Sequence, residues 1–379
     1  FYSSGRPQLD VDYPDFDGHV NSEGIRTFVN YLPSSYTVDK DIHTGYVEAT
    51  YGFPAGLTAN LGVRYDHVDM AVDYDIQQRL CGHNDFKKHF VLPSLNLRYD
   101  LTDRHALRLG LSRTYTLPQA KEISPYQYIG AAFNSVGNPD LKPSDNYNAD
   151  LKWDWYMGEG EIVTVNGFYK YIKDPISRIQ TTGGGTYMRY ENVSNHATVA
   201  GVELDVRKKL FDLGGKAESV HSLTAGVNAS YIYTSVRVPN STSLTYENKG
   251  SQLEGAAPWL VNADLTYQWT RGERQVTTAL VFNYFSDRLY SIGMEDYQDV
   301  MEEGVATLDF VASAKLTKHL SLSFKAKNLL NPTHKLTRRA TIKERDDEGN
   351  YQYVGKGDKL VMNSYRNAID LSLGLSLKF

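Results

Sequence analysis

Between Asn367 and Phe379 the sequence alternates without a break. Ile369, Leu371, Leu373, Leu375, Leu377 and Phe379 occupy one parity, and Ala368, Asp370, Ser372, Gly374, Ser376 and Lys378 the other. Successive side chains on a strand point to opposite faces, so such a segment has one wholly apolar face and one polar or small face. A helix would spread the same leucines around its whole circumference. Two environments ask for this pattern: the dry core of a water-soluble sandwich, or lipid outside a barrel whose lumen is wet.

The choice comes from how the chain repeats the pattern. Gly45, Val47, Ala49, Tyr51 and Phe53 share a face against Thr44, Glu48 and Thr50; after Pro54-Ala55-Gly56, the run Leu57, Ala59, Leu61, Val63, Tyr65 answers it, an antiparallel hairpin. From Thr44 to Phe379 about 13 such strands of roughly 10 residues follow, the length that crosses a bilayer when tilted. Their connections alternate between short turns, as at Thr102-Asp103-Arg104, Gly158-Glu159-Gly160, Arg271-Gly272-Glu273 and Thr317-Lys318-His319, and long polar stretches, as at Asp69 to His89, Thr116 to Asp145 and Asn331 to Tyr365. A sandwich has no reason to put every long loop on one side, whereas outer-membrane barrels have short periplasmic turns and long extracellular loops. The chain therefore reads as all-β, an antiparallel transmembrane β-barrel, with residues 44–379 as strands, turns and loops. Residues 1–43 read as an extracellular loop region, with 25–31 able to supply one further strand. Arg113 falls on the apolar parity, which predicts a bulge or the rim there.

Composition agrees. No stretch approaches the ~18 apolar residues of a spanning helix, and mean hydropathy is −0.45, as expected where lumen residues dilute the lipid face. Tyrosine is abundant, 28 residues, matching amphipathic rings at membrane interfaces. A mild net charge of −5 gives no support to nucleic-acid binding. The single cysteine, Cys81, excludes an internal disulfide. The polar opening, Ser3 to Gly18, reads as the middle of a loop, which favours a fragment over a processed chain.

Two boxes bracket the second long connection: Ser112-Arg113-Thr114-Tyr115-Thr116-Leu117-Pro118 and Gly137-Asn138-Pro139-Asp140-Leu141-Lys142-Pro143. With Ala257-Pro258-Trp259-Leu260-Val261-Asn262-Ala263, Lys327-Asn328-Leu329-Leu330-Asn331-Pro332 and a terminal aromatic, the chain resembles the C-terminal barrel part of TonB-dependent outer-membrane receptors, particularly the Bacteroides-like group. The resemblance implies the last strands of a barrel of about 22 and active import of a siderophore, cobalamin-like cofactor, glycan or peptide in the bacterial outer membrane. It implies as partners outer-membrane lipid, the barrel assembly machinery, a small nutrient ligand, and a plug domain and TonB complex reached through a missing N-terminal part. It also marks Phe379 as an assembly signal. Haem receptors of the family typically carry a histidine between the two boxes, and none stands between Thr116 and Gly137, so the ligand is expected not to be haem.

Enzymatic signatures are missing: there is no phosphate-binding glycine loop, zinc-protease histidine pair or nucleophile elbow. The reading is of a protein that is not an enzyme and needs no cofactor. Cys81, His83, Asp85 and His89 stand in what reads as an irregular loop without a recognised ligand spacing, so no metal site is assigned. Tyr126, Tyr128, Phe133, Tyr187 and Tyr190 are the candidate ligand contacts, against interface anchoring or loop packing as the alternative. In the boxes, Arg113, Pro118, Asn138, Pro139, Leu141 and Pro143 either touch ligand or fix where strand gives way to loop. A plugless passive channel and a barrel-displayed surface binding protein are the competing functions.

Overall fold

The structure is a computed structural model. It describes residues 34–379 except 77–79, 131, 182–186, 215–218, 239–249, 294–296 and 379, together with His19–Val20 and Arg26–Thr27. Phe379, Gly183 to Gly185 and most of 1–43 lie outside the described residues.

Thirteen antiparallel strands form one continuous sheet in chain order: β1 (Ser34–Gly52), β2 (Leu57–Ile76), β3 (Leu80–Thr102), β4 (His105–Thr116), β5 (Ser144–Gly158), β6 (Glu161–Lys173), β7 (His196–Leu213), β8 (Val220–Val236), β9 (Trp259–Arg271), β10 (Arg274–Phe285), β11 (Val305–Lys315), β12 (Leu320–Lys327) and β13 (Asp370–Leu377). β1 thus takes in the last residues of the 1–43 stretch. Arg26–Thr27 pairs with His19–Val20 in a separate two-stranded ladder.

The apolar parity forms the outer face. Val47, Leu61, Leu151, Val202, Leu371, Leu373 and Leu375 are all exposed, as side chains that lipid would cover. The other parity links into polar ladders: Asn60 donates to Glu48 and Thr50, Asn148 to Ser112, and Asn228 to Glu203. The short turns at Gly56, Gly160 and Gly272 use left-handed backbone. Gly56 at φ 79 carries the first, and a Cβ there would stand 3.0 Å from the Asp100 carbonyl oxygen. Arg113 lies one residue past the last β3–β4 pair, Ser94↔Ser112, and its pairing with β5 stays in register, so it marks the rim rather than a bulge.

Two stretches read from sequence as polar loops are paired strand. β2 and β3 continue together through Ile76↔Leu80, across Asp69 to His89. The region from Asn331 to Tyr365 is a long irregular hairpin, His334–Arg345 against Tyr351–Tyr365. In β2 the cause is a change of face within one unbroken strand. Up to Tyr65 the odd positions are apolar and Asn60, Arg64 and Asp66 face inward; above it Val68, Met70 and Val72 turn inward and are buried, while Asp69, Asp73 and Asp75 take the odd side. Below the seam the outside is lipid; above it the outside is water and the inside is protein. The same physical rule therefore reverses the pattern.

Above the seam the loops form a packed layer. The connection after β4 carries a short helix, Ala120–Ile123, and strands Gln127–Tyr128 and Asn134–Val136; the one after β6 forms the hairpin Ile176–Thr181 with Tyr187–Asn192, and the two connections pair with each other. Val68, Met70, Val72 and Phe90 of the wall pack against Ile123, Leu141 and Tyr190 from these loops. A second cluster joins Ile179, Val193, Val236, Leu289 and Ile292. At roughly 1.5–3 kcal/mol per fully buried large apolar side chain, the clusters hold connections distant in sequence as one unit.

Candidate extracellular ligand site

The boxes act at the joints of this layer. Arg113 pairs with Asp145 at 3.0 Å and lies over the Tyr147 ring. Gly137 passes so close to Ser124 that a Cβ would stand 2.0 Å from its carbonyl oxygen, so only glycine fits. Asn138, 4% exposed, donates to the Tyr190 carbonyl at 3.1 Å and Glu191 Oε2 at 3.0 Å, and accepts from the Asp140 amide. Pro139 accepts from Asn84 through its carbonyl, Leu141 is buried in the cluster around Phe90, and Pro118 and Pro143 are buried.

The candidate aromatics divide by burial. Tyr190 and Phe133 are each 8% exposed; Tyr190 packs against the wall, and Phe133 against Met188, Val300 and Tyr290. Tyr126 and Tyr128 are half-buried and meet edge to face, with Tyr36 of β1 hydrogen-bonded to Tyr128 at 2.8 Å and Lys121 over its ring. That hydrogen bond, then burial, pushes the Tyr128 phenol up to about 12. Tyr187 is half-buried beside Asn134.

Two arginines in the layer were not singled out from sequence. Arg178 donates to Glu254 at 2.6 Å and stacks 3.8 Å from the Tyr290 ring centre. Burial opposes its charge, but Glu254 outweighs that, and its pKa lies above the ordinary arginine value. Arg338 differs: it donates to Gln180 Oε1 at 3.1 Å and lies over Tyr297 at 4.6 Å, and among the described residues no carboxylate pairs with it. Desolvation pushes its pKa down. Ser291 Oγ and Thr337 Oγ1, on the paired segments around it, and Gln298 Oε1, just before Val300, are buried and without hydrogen-bond partners among the described residues. The result is a half-buried guanidinium with donors left spare among the described residues, beside one aromatic face, an arrangement suited to a planar or multiply charged anion. Local sequence carried no signal for it, because Gln180 is 158 residues away.

Residues 3–329 match the family model described as "TonB dependent receptor-like, beta-barrel". The iron-regulated outer membrane virulence protein of Vibrio cholerae is 24% identical over 151 residues, 40% of this chain and 21% of that protein. Among solved structures, the ferric yersiniabactin uptake receptor of Yersinia pestis superposes with a TM-score of 0.58 at 15% identity, over 91% of this chain and 47% of that one. A variant of the ferric enterobactin receptor of Pseudomonas aeruginosa gives 0.52 at 16%, over 91% and 54%. The FrpB iron transporter of Neisseria meningitidis gives 0.55 at 16%, over 91% and 45%. The chain spans about half the length of these solved chains and about a fifth of the curated relative.

Proposed function

We propose, from the premise that this chain belongs to the TonB-dependent receptor family, that it forms the barrel wall and extracellular ligand-binding layer of a receptor importing a compact anionic iron chelate of the siderophore class. The protein is an outer-membrane β-barrel of the nutrient-uptake type, and its family consists of receptors and transporters rather than enzymes. The family match favours import over a passive channel or a display scaffold. Arg338 carries the choice of an anionic chelate over a glycan, peptide or cobalamin-like cofactor. A desolvated guanidinium without a counter-ion among the described residues costs free energy until an anion arrives, and Tyr297 beside it offers a face to a flat chelating group. Tyr126, Tyr128 and Tyr187 are the tyrosines placed to make further contacts, with Tyr190 and Phe133 holding the layer beneath. The ferric yersiniabactin and ferric enterobactin of the Y. pestis and P. aeruginosa receptors' names, and the iron regulation in the V. cholerae protein's name, fit the same reading.

The test uses the full-length receptor with an iron-loaded tricatecholate as probe. Arg338→Ala is expected to weaken binding roughly tenfold, as for loss of a charge-assisted hydrogen bond, while a neutral oligosaccharide shows no saturable binding to either form. Equal tricatecholate affinity in both forms overturns the anionic reading, and saturable haem binding with a Soret shift overturns the siderophore class.

A further inference from the structure

His89 stands in sequence with Cys81, His83 and Asp85, but these four residues of one parity lie along one strand, β3, and do not converge. Its neighbours come from across the sheet. His43, His67 and His89 are directly opposite one another on β1, β2 and β3. They form a row on the outer face, one position above the last apolar row of Gly45, Tyr65 and Val91. The His67 and His89 rings stack with centres 4.6 Å apart, and their Nδ1 atoms are 3.2 Å apart. The Tyr65 hydroxyl oxygen is 2.6 Å from the same His89 Nδ1.

Hydrogen bonding does not use this geometry well. A neutral imidazole nitrogen offers either one in-plane lone pair or one N–H, yet His89 Nδ1 has two polar partners at bonding distance. One contact must go unmade. A metal ion takes a lone pair from both imidazoles at once, and the Tyr65 oxygen reaches it as a third donor by opening its 2.6 Å contact with His89 to the ligand–ligand spacing. Two imidazole nitrogens at about 2.0–2.1 Å from a tetrahedral ion are about 3.3–3.4 Å apart, close to the observed separation, and imidazole χ2 is a broad torsion that can turn both lone pairs to one point.

We propose that His67 and His89, through Nδ1, with the Tyr65 phenol oxygen as a third donor, form a surface site for a divalent transition-metal ion of the copper or zinc class. Each imidazole then carries its proton on Nε2. Among the described residues no group of three or more His, Cys, Asp or Glu side chains converges on one point; this is a two-imidazole chelate completed by a phenol. Imidazole suits copper, zinc and nickel. Asp39, Asp41, Asp69, Asp73, Asp75 and Asp85 share the outer face above the site; Asp69 is paired with Lys87 at 2.8 Å, Asp73 with His83 at 2.7 Å, and Asp75 accepts from Cys81, and because carboxylates outnumber cations there the local field attracts cations. A bound ion would tie β2 to β3 where the wall leaves the support of lipid.

Cu2+ ions alone, titrated into the full-length receptor in detergent, provide the probe, read by electron paramagnetic resonance. The expected result is one saturable site with nitrogen hyperfine structure, lost in His67→Ala and in His89→Ala, weakened in Tyr65→Phe, and retained in His43→Ala and His196→Ala. No saturable site in the wild type, or an unchanged signal in the His67→Ala/His89→Ala double variant, overturns the proposal. All the substituted histidines and Tyr65 are at least partly exposed, and retained heat-modifiable mobility confirms that each variant is folded. The site lies on the outer face, away from Arg338, so its loss leaves tricatecholate binding unchanged and the two proposals fail separately.

Discussion

Leu111 and Ser112 are adjacent on β4 and face opposite worlds. Leu111 is 41% exposed on the outer face, between Leu95 and Ala149, whereas Ser112 points inward to Asn148 at 3.3 Å. An arginine at position 111 would meet hydrocarbon, at a cost of roughly 2–4 kcal/mol near the bilayer midplane. At position 112 it would meet a polar ladder. Leu111→Arg is therefore expected to lower the yield of folded, heat-modifiable barrel well below that of Ser112→Arg; the reverse order would mean that the faces of β4 are exchanged. Single residues of the spanning strands were legible in this way because each answers to one solvent on each face. Arg338 was not, since its partner Gln180 lies 158 residues away, and pairing across that distance leaves no trace in local pattern.

At the scale of elements, the sequence reading failed where the pattern changed face. Asp69 to His89 looked like loop because an apolar row kept on the odd positions ends at Tyr65, and beyond it aspartates occupy those positions. The even positions, Val68, Met70 and Val72 on β2 and Phe86 and Phe90 on β3, were the signal that strand continues with its core on the other side. Phe90 is fully buried and stacks on Tyr115 at 3.9 Å between ring centres. Truncating a buried phenylalanine costs about 3–5 kcal/mol, and here the loss falls on the wall and the loops packed on it rather than on the lipid-supported strands. Phe90→Ala should raise hydrogen exchange in β2 above Asp66 and in residues 117–141, leaving β9 to β12 protected. Uniform loss of protection across the whole sheet would show instead that layer and barrel unfold as one unit.

At the scale of the whole sheet, the decisive fact is that the described residues supply thirteen strands, an odd number. Every neighbouring pair in the sheet is antiparallel, so its two outer strands, β1 and β13, run in the same direction. β1 offers 19 residues along its edge and β13 eight. The two cannot meet in an antiparallel ladder; closure in that pattern requires an odd number of further strands between them, and Arg26–Thr27 is paired elsewhere. Exposed edges present rows of unpaired backbone donors and acceptors and recruit other chains. Residues 1–379 refolded alone in detergent should therefore associate through these edges into mixed oligomers lacking the heat-modifiable mobility of a closed barrel. A monodisperse, heat-modifiable monomer with steady single-channel conductance would show that the sheet closes on itself, and the pairing of β1 would then have to be redrawn.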